Sequence, residues 1–292
     1  MWNLFTSENK SVGLKNREVW FKNWIIGRQT YEQISLESGY SVSTLQRYFN
    51  VMLSKAPKLS YSQNKEVYLL IDATYFSEEI CLVVFRDDVL KQTQLYRVTD
   101  GEHYEELKED LQNILNLGIK IGGITCDGDK SLLKAIKKVC PEVPMQRCLV
   151  HIQRMCNIWL SSHPKTRAGF ELREIVCKLH FIDSEAQKQY WIKEILDWFV
   201  EHKDFINQKS YNEQTGRYWY THKMVRRCFS VIKKALPNMF TFLQNSKIPK
   251  TTNGLESFFG HLKGNLNIHR GLKRNRRKKF LQWYLFYKNQ KN

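Results

Sequence analysis

Three runs rich in branched and aromatic residues follow one another with only short breaks: "EVYLLIDATYF" (66–76), "ICLVVFRDD" (80–88) and "TQLYRVTD" (93–100). Such runs read as strands. Breaks this short join antiparallel neighbours, because a parallel crossover needs a dozen or more residues. Arg86, Asp87 and Asp88 supply the turn between the second and third runs. Residues 102–117 then take helical spacing through Tyr104, Leu107, Leu111 and Leu115. "IGGITCDGD" reads as a fourth strand, "KSLLKAIKKV" as a helix, and "MQRCLVH" as a short fifth strand.

That order, three antiparallel strands and then helix, strand, helix, strand, is the one expected of a ribonuclease H-like α/β core with a mixed five-stranded sheet. In such a sheet the first and fourth strands are neighbours. Asp72 sits inside the apolar "LLIDATY" and Asp127 ends the fourth strand, followed by Gly128 to turn the chain. A carboxylate in an apolar strand is costly to bury unless it is paired, protonated or bound to metal. Two facing carboxylates repel, and a divalent cation relieves the repulsion. Asp129 is a competitor for the second position but falls past the turn.

A third acid comes from "TTNGLESFFGHLK" (251–263). Leu255, Phe258, Phe259 and Leu262 form one helical stripe, Thr251 or Thr252 can cap its start, and Glu256 lies at the stripe's edge. Read singly, Asp72 is a buried polar residue, Asp127 a turn residue, and Glu256 a partner for Lys263. Read together they form an all-oxygen set suited to Mg²⁺ or Mn²⁺. Two such ions about 3.5–4 Å apart serve phosphoryl transfer.

The remaining segments organise around this core. "QTYEQISLESGYSVSTLQRYF" reads as a helix-turn-helix within a helical module, 1–54. Ile34, Ser38, Leu45 and Tyr48 pack its two short helices, Ser35 is small where they approach, Gly39 makes the turn, and Ser41 or Ser43 caps the second helix. Thr44, Gln46 and Arg47 then face outward toward DNA. Residues 55–65 are polar and read as a linker, and 66–160 as the first part of the core. An all-helical insertion follows over 161–248, then a closing helix over 249–270 and a basic, aromatic tail over 271–292, in which "FLQWYLFYKNQKN" reads as a helix that packs back.

The formal net charge of +17 favours a polyanionic partner, nucleic acid above all. It is concentrated in "RGLKRNRRKK" (270–279), where Arg274, Arg276 and Arg277 are candidate phosphate contacts. Within the insertion, Trp219 with Arg226 and Arg227 suits an unpaired base and its phosphates, and Lys250 is expected near a phosphate. The ordinary alternative is aromatic core and a solvated basic face. No apolar run approaches the ~18 residues of a membrane span. The N-terminus lacks the apolar stretch of a secretion signal, and seven dispersed cysteines suggest reduced thiols. A cytoplasmic protein without a membrane partner is expected.

The motifs "IDATY", "TCDGDKSLLKAI", "QRCLVH" and "TTNGLESFFGHLK" together resemble the Mutator-like superfamily of DDE transposases, including its bacterial insertion-sequence branch. The resemblance covers residues 66–265 and extends toward the N-terminal module. "CLVH", Cys148 to His151, matches a Cys-x-x-His element of that superfamily.

The resemblance implies that Asp72, Asp127 and Glu256 are the catalytic and metal-binding triad, holding two Mg²⁺ (or Mn²⁺) ions. It also implies that the long gap before Glu256 is the family's insertion domain. The implied reaction is hydrolysis at transposon ends to free a 3′-OH, which then attacks target DNA. Cys148 and His151 would lie beside the site, where a neutral His151 imidazole would orient a carboxylate or touch a DNA phosphate. A homodimer or higher assembly on DNA, near a bacterial nucleoid, follows by the same analogy.

The competing use of these residues is zinc, with Cys148, His151, Cys156 and Cys126 as ligands, although their spacing matches no compact zinc module. Relatives often carry a cysteine-rich zinc ribbon before the helix-turn-helix, and here no cysteine precedes Cys81. The competing functions are a ribonuclease H-like structure-specific nuclease and an inactivated or domesticated DNA-binding protein.

Overall fold

The computed structural model describes residues 7–61 and 66–290, with side chains from residue 17 onward. Residues 1–6, the 62–65 part of the linker and the last two residues of the tail lie outside the described residues. In chain order the elements are α1 (Ser7–Ile26), α2 (Tyr31–Ser38), α3 (Val42–Ser54), β1 (Glu66–Phe76), β2 (Ile80–Asp87), β3 (Gln92–Thr99), α4 (Tyr104–Asn116), β4 (Lys120–Cys126), α5 (Lys130–Val139) and β5 (Met145–Arg147). They continue with α6 (Leu149–Leu160), α7 (Arg167–Cys177), α8 (Glu185–Asn207), β6 (Lys209–Tyr211), β7 (Tyr218–Tyr220), α9 (Lys223–Ala235), α10 (Asn253–Ile268) and α11 (Arg274–Asn289).

Five strands form one mixed sheet in the order β3-β2-β1-β4-β5. β2 and β3 are antiparallel, while β4 runs parallel to both β1 and β5. This is the ribonuclease H-like arrangement expected from the order of elements, with the first and fourth strands adjacent. No helix among the described residues is long and apolar enough to cross a membrane.

The chain divides into two compact units. The first comprises residues 1–65, 73–119 and 254–292. Its core centres on Trp24, fully buried among Phe49, Phe280 and the ring of His269. The His269 Nε2–H donates to the Trp24 carbonyl at 2.9 Å, and burial holds the ring below its ordinary pKa. α11 buries Phe280, Leu281, Tyr284 and Leu285 along one face. Its Asn289 side-chain amide donates to the carbonyl of Thr93 (2.7 Å) and accepts from its N–H (2.9 Å). The edge strand β3 is thus capped by a side chain that imitates a neighbouring strand.

α2 and α3 are two short helices joined at Gly39, which turns at φ 72°; Ser41, one of the two expected caps, starts α3, and Thr30 caps α2. Ile34 and Leu45 are buried. Phe49 takes the inward position expected of Tyr48, which is half-buried under the guanidinium of Arg17.

The second unit comprises residues 66–72 and 120–253. α6 to α9 share one apolar core, in which Leu149, Leu172, Trp191, Trp198 and Ile232 are buried. Trp191 and Trp198 satisfy their ring N–H groups on the carbonyls of Ile175 and Ala168.

Several expectations need correction. The bundle core begins at Leu149, not near residue 161, because α6 contributes a full buried face to it. The insertion is not all-helical: β6 and β7 form a hairpin, too short to leave a periodic signal. Cys148 to His151 start α6 instead of ending β5, since Cys148 is the N-cap. The turn after β2 occupies 88–91, because Asp87 stays in the strand and its carboxylate accepts from the N–H groups of Val89 and Leu90. In α4 the buried stripe is Leu107, Leu111 and Ile114, one position earlier than Leu115. The helix expected over the aromatic tail starts earlier, since residues 274–279 of the basic run form the first turns of α11.

Candidate active site

In the second unit, β1 and β4 pair in parallel with Ile71 opposite Cys126. Asp72 and Asp127 are therefore the next residues along two adjacent strands. Asp72 is 9% exposed, and Asp127, one residue beyond the strand end, is half-buried. The chain must turn sharply there. Gly128 takes φ +98°, a conformation costly for any residue with a Cβ. Asp127 Oδ1 accepts from the Asp129 N–H at 2.9 Å. Asp129 Oδ1 accepts from Ser131 and Leu132 and so caps α5. That capping role separates Asp129 from Asp127. Arg147, at the end of β5, donates to the Asp127 carbonyl at 3.1 Å and packs its guanidinium against Gly128.

Beside these acids lies a second group. The Cys148 sulfur is fully buried at the N-terminus of α6, and accepts from both the N–H and the hydroxyl of Thr252 at 3.3 Å. Burial opposes the thiolate, yet hydrogen bonds from His151 and Thr252 together bring the thiol below its ordinary pKa. His151 moves the other way, to about 9, so the imidazole expected to be neutral is held protonated. Its hydrogen bond with Cys148 is the largest cause and outweighs burial, and attraction to the Cys148 thiolate, Asp72 and Asp127 adds to it. With the ring protonated, Nδ1 donates to Thr252 Oγ1 at 3.3 Å, which donates in turn to the sulfur.

Asp72, Asp127, Cys148 and His151 are thus gathered in one unit. Glu256 belongs to the other unit, half-buried in the first turn of α10. The stripe read beside it, Leu255, Phe258, Phe259 and Leu262, is buried. Thr252 and Arg147 were not anticipated. Thr252 has the signature of a helix cap, but its hydroxyl turns to Cys148.

The zinc arrangement does not form. Among the described residues, the one group of three or more candidate ligands within 4.8 Å is Glu171, Glu201 and His202. There Arg167 already bridges Glu171 and Glu201, both at 2.7 Å. Cys156 lies in the bundle core, hydrogen-bonded to Cys228, whose thiol burial pushes up.

The candidate DNA contacts divide by environment. Gln46 and Arg47 are exposed, whereas Thr44 is half-buried and its hydroxyl accepts from Ser41 at 2.9 Å. Arg274 and Arg276 are exposed, while Arg277 is held by Ser77 and Glu78. Trp219 is 50% exposed. Arg226 lies 3.8 Å over the Tyr220 ring and Arg227 4.3 Å over that of Trp159. The Lys250 ammonium is taken up by Asp183 (2.6 Å) and the His180 carbonyl (3.1 Å), because the segment around it is fastened down rather than open.

No curated protein matches the chain. Residues 86–194 match the family described as Transposase, Mutator family. The matched segment runs from the end of β2 into α8 and includes Asp127, Arg147, Cys148 and His151, but neither Asp72 nor Glu256. Over that segment the chain is similar to transposases of the Mutator family.

Proposed function

We propose that the chain is the transposase of a bacterial insertion sequence. It cuts the element's ends by metal-assisted phosphodiester hydrolysis and joins the freed 3′-OH to target DNA. The observation that carries this reading is the register of Asp72 beside Asp127 on adjacent parallel strands, next to a histidine whose pKa both acids help to raise. The donor set fits a hard divalent cation. Two carboxylates side by side offer only oxygen, and after the Cys148 hydrogen bond and thiolate both of them add to the rise in the His151 pKa. Asp72 and Asp127 would hold Mg²⁺ or Mn²⁺, and Glu256 is the third ligand on the sequence reading alone. Two bound ions would activate the attacking oxygen and stabilise the leaving one.

The chain's own groups have separable tasks. The Gly128 turn and the Arg147 hydrogen bond fix the Asp127 backbone. Protonated His151 offers a cationic hydrogen-bond donor to a DNA phosphate, while Cys148 and Thr252 hold its ring in place. Gln46, Arg47, Arg274 and Arg276 present exposed polar and cationic groups to DNA. Assembly as a homodimer or larger complex on paired ends, and residence with the nucleoid, belong to the same reading.

The test is cleavage of linear DNA carrying the element's ends, with Mg²⁺, Mn²⁺, Ca²⁺ or chelator. Asp72→Asn, Asp127→Asn and Glu256→Gln are assayed in parallel. Metal-dependent nicking at the ends, lost in all three, is the expected result. Tight binding without nicking, unchanged by the substitutions, would instead favour a DNA-binding remnant. Loss in the two aspartate variants but not in Glu256→Gln would remove Glu256 from the ligand set.

A further inference from the structure

The β6–β7 hairpin stands apart from the buried chemistry of its unit: every residue from Tyr211 to Trp219 is exposed. Its register pairs Lys209 with Tyr220, Ser210 with Trp219, and Tyr211 with Tyr218. Alternation along each strand then sorts the side chains onto two faces. Lys209, Tyr211, Tyr218 and Tyr220 share one face, while Trp219 lies on the other with Ser210. The three tyrosine rings run in sequence, with centroids 6.1 Å apart from Tyr211 to Tyr218 and 6.1 Å from Tyr218 to Tyr220.

Cations sit among the rings. The Lys209 ammonium lies 4.1 Å from the Tyr218 centroid, and the Arg226 guanidinium 3.8 Å from that of Tyr220. Cross-strand contact explains part of this aromatic content. It leaves Tyr211 62% and Tyr218 53% exposed, more aromatic surface toward water than a two-stranded ribbon requires. The loop is built rather than loose: the Asn212 side-chain oxygen accepts from the N–H groups of Gln214 and Thr215, and Gly216 makes the turn at φ 65°. Between residues 209 and 234 the only acidic residue is Glu213.

We propose that this tyrosine face is a stacking platform for unpaired nucleotides, with Tyr211 and Tyr218 taking the bases and Lys209 and Arg226 facing the phosphates. Open aromatic rings interleaved with cations are the means by which single strands are held without sequence preference. The platform deepens the transposase reading, on which it rests: a nick allows the freed strand end to separate from its complement, and the nucleotides unpaired in this way need holding. Trp219, on the opposite face, is not part of it.

The experiment uses the full chain with chelator, so that binding is read without cutting. Labelled oligo(dT) and a duplex of equal length are titrated by fluorescence anisotropy. Tyr211→Ile/Tyr218→Ile keeps strand preference and apolar area but removes the rings. Tyr211→Phe/Tyr218→Phe keeps the rings.

The Ile pair is expected to bind oligo(dT) about tenfold or more weakly and the duplex within about twofold, with the Phe pair close to the parent. The salt dependence should be unchanged, because no phosphate contact is lost. Unchanged single-strand binding by the Ile pair overturns the platform. So does equal loss on duplex and single strand, or a changed oligomeric state with single-strand affinity intact, which would make the face a protein interface. Ring-dependent binding in a chain that never cuts DNA would leave the platform standing and remove the enzymatic reading. Cutting with ring-independent binding would do the reverse.

Discussion

Replacing Gly128 by alanine tests the turn that presents Asp127, and the structure sets the size of the effect. At φ +98° an alanine is strained by ~1–3 kcal/mol. Its Cβ would also fall 1.9 Å from Cζ and Nη2 of Arg147 and 2.2 Å from Nε. Arg147 is only 7% exposed, so its guanidinium cannot swing freely into solvent. Overpacking of this kind costs ~1–3 kcal/mol. Together the two effects predict a loss of about 2–6 kcal/mol, a large part of the ~5–15 kcal/mol by which a domain is stable.

Native-state hydrogen exchange of the β4 amides is the suitable assay, because it reports on the second unit without requiring the whole chain to unfold in one step. Arg147→Ala in the Gly128→Ala background removes the collision but not the backbone strain. The double-mutant cycle should therefore return about 1–3 kcal/mol of favourable coupling. A Gly128→Ala loss under about 0.5 kcal/mol, or a cycle additive to within about 0.5 kcal/mol, would refute the reasoning.

Other outcomes follow from the same geometry. His151 should titrate near pH 9 by NMR, and Cys148→Ser should bring it down toward the ordinary histidine range. Because its folded pKa is raised, the stability it contributes is fully present below the unfolded value near 6.5 and is lost as pH rises through about 9. If Asp72 and Asp127 hold a divalent cation, Mg²⁺ should lower the His151 pKa in the parent chain and leave it unmoved in Asp127→Asn; an equal shift in both places the cation elsewhere. In the first unit, Arg97 holds the 3%-exposed Asp110 through two hydrogen bonds of 2.8 and 2.7 Å. Arg97→Leu should cost about 3–5 kcal/mol in thermal unfolding, and Asp110→Leu added to it should recover much of that loss.

The α/β core was legible because each strand announces itself by composition, and because hairpin-length breaks leave few ways to pair the first three. Asp72 and Asp127 were legible for a related reason: a carboxylate within or at the end of an apolar run needs a physical justification. Thr252 was not. Its position before α10 carries the same signal whether it caps that helix or turns toward a sulfur 104 residues earlier, and only the fold decides. The β6–β7 hairpin was hidden by its length, since three-residue strands show no period. The same brevity led Trp219 to be read alongside Arg226 and Arg227, although it lies across the ribbon from the tyrosines. The reach of α6 into the helical bundle was also invisible, because "QRCLVH" joins a strand end to a helix start without a break in polarity.

The hydrogen bonds that fasten the segment around Lys250 bear on how such a chain tolerates change. Thr125 Oγ1 donates to the Pro249 carbonyl at 2.7 Å, and the Leu149 N–H donates to the Lys250 carbonyl at 3.1 Å. The chain thus leaves the sheet at β5, traverses the bundle, and returns to be tied beside its own point of departure. In polymer terms the intervening hundred or so residues form a ring closed at its neck, and the entropy of closure grows only slowly with the length of the ring. The bundle could gain or lose whole helices over evolutionary time at little cost to the strands that carry the aspartates. It is a cartridge held at one seam, and the exposed 212–217 loop within it is a natural place to insert, cut or permute the chain.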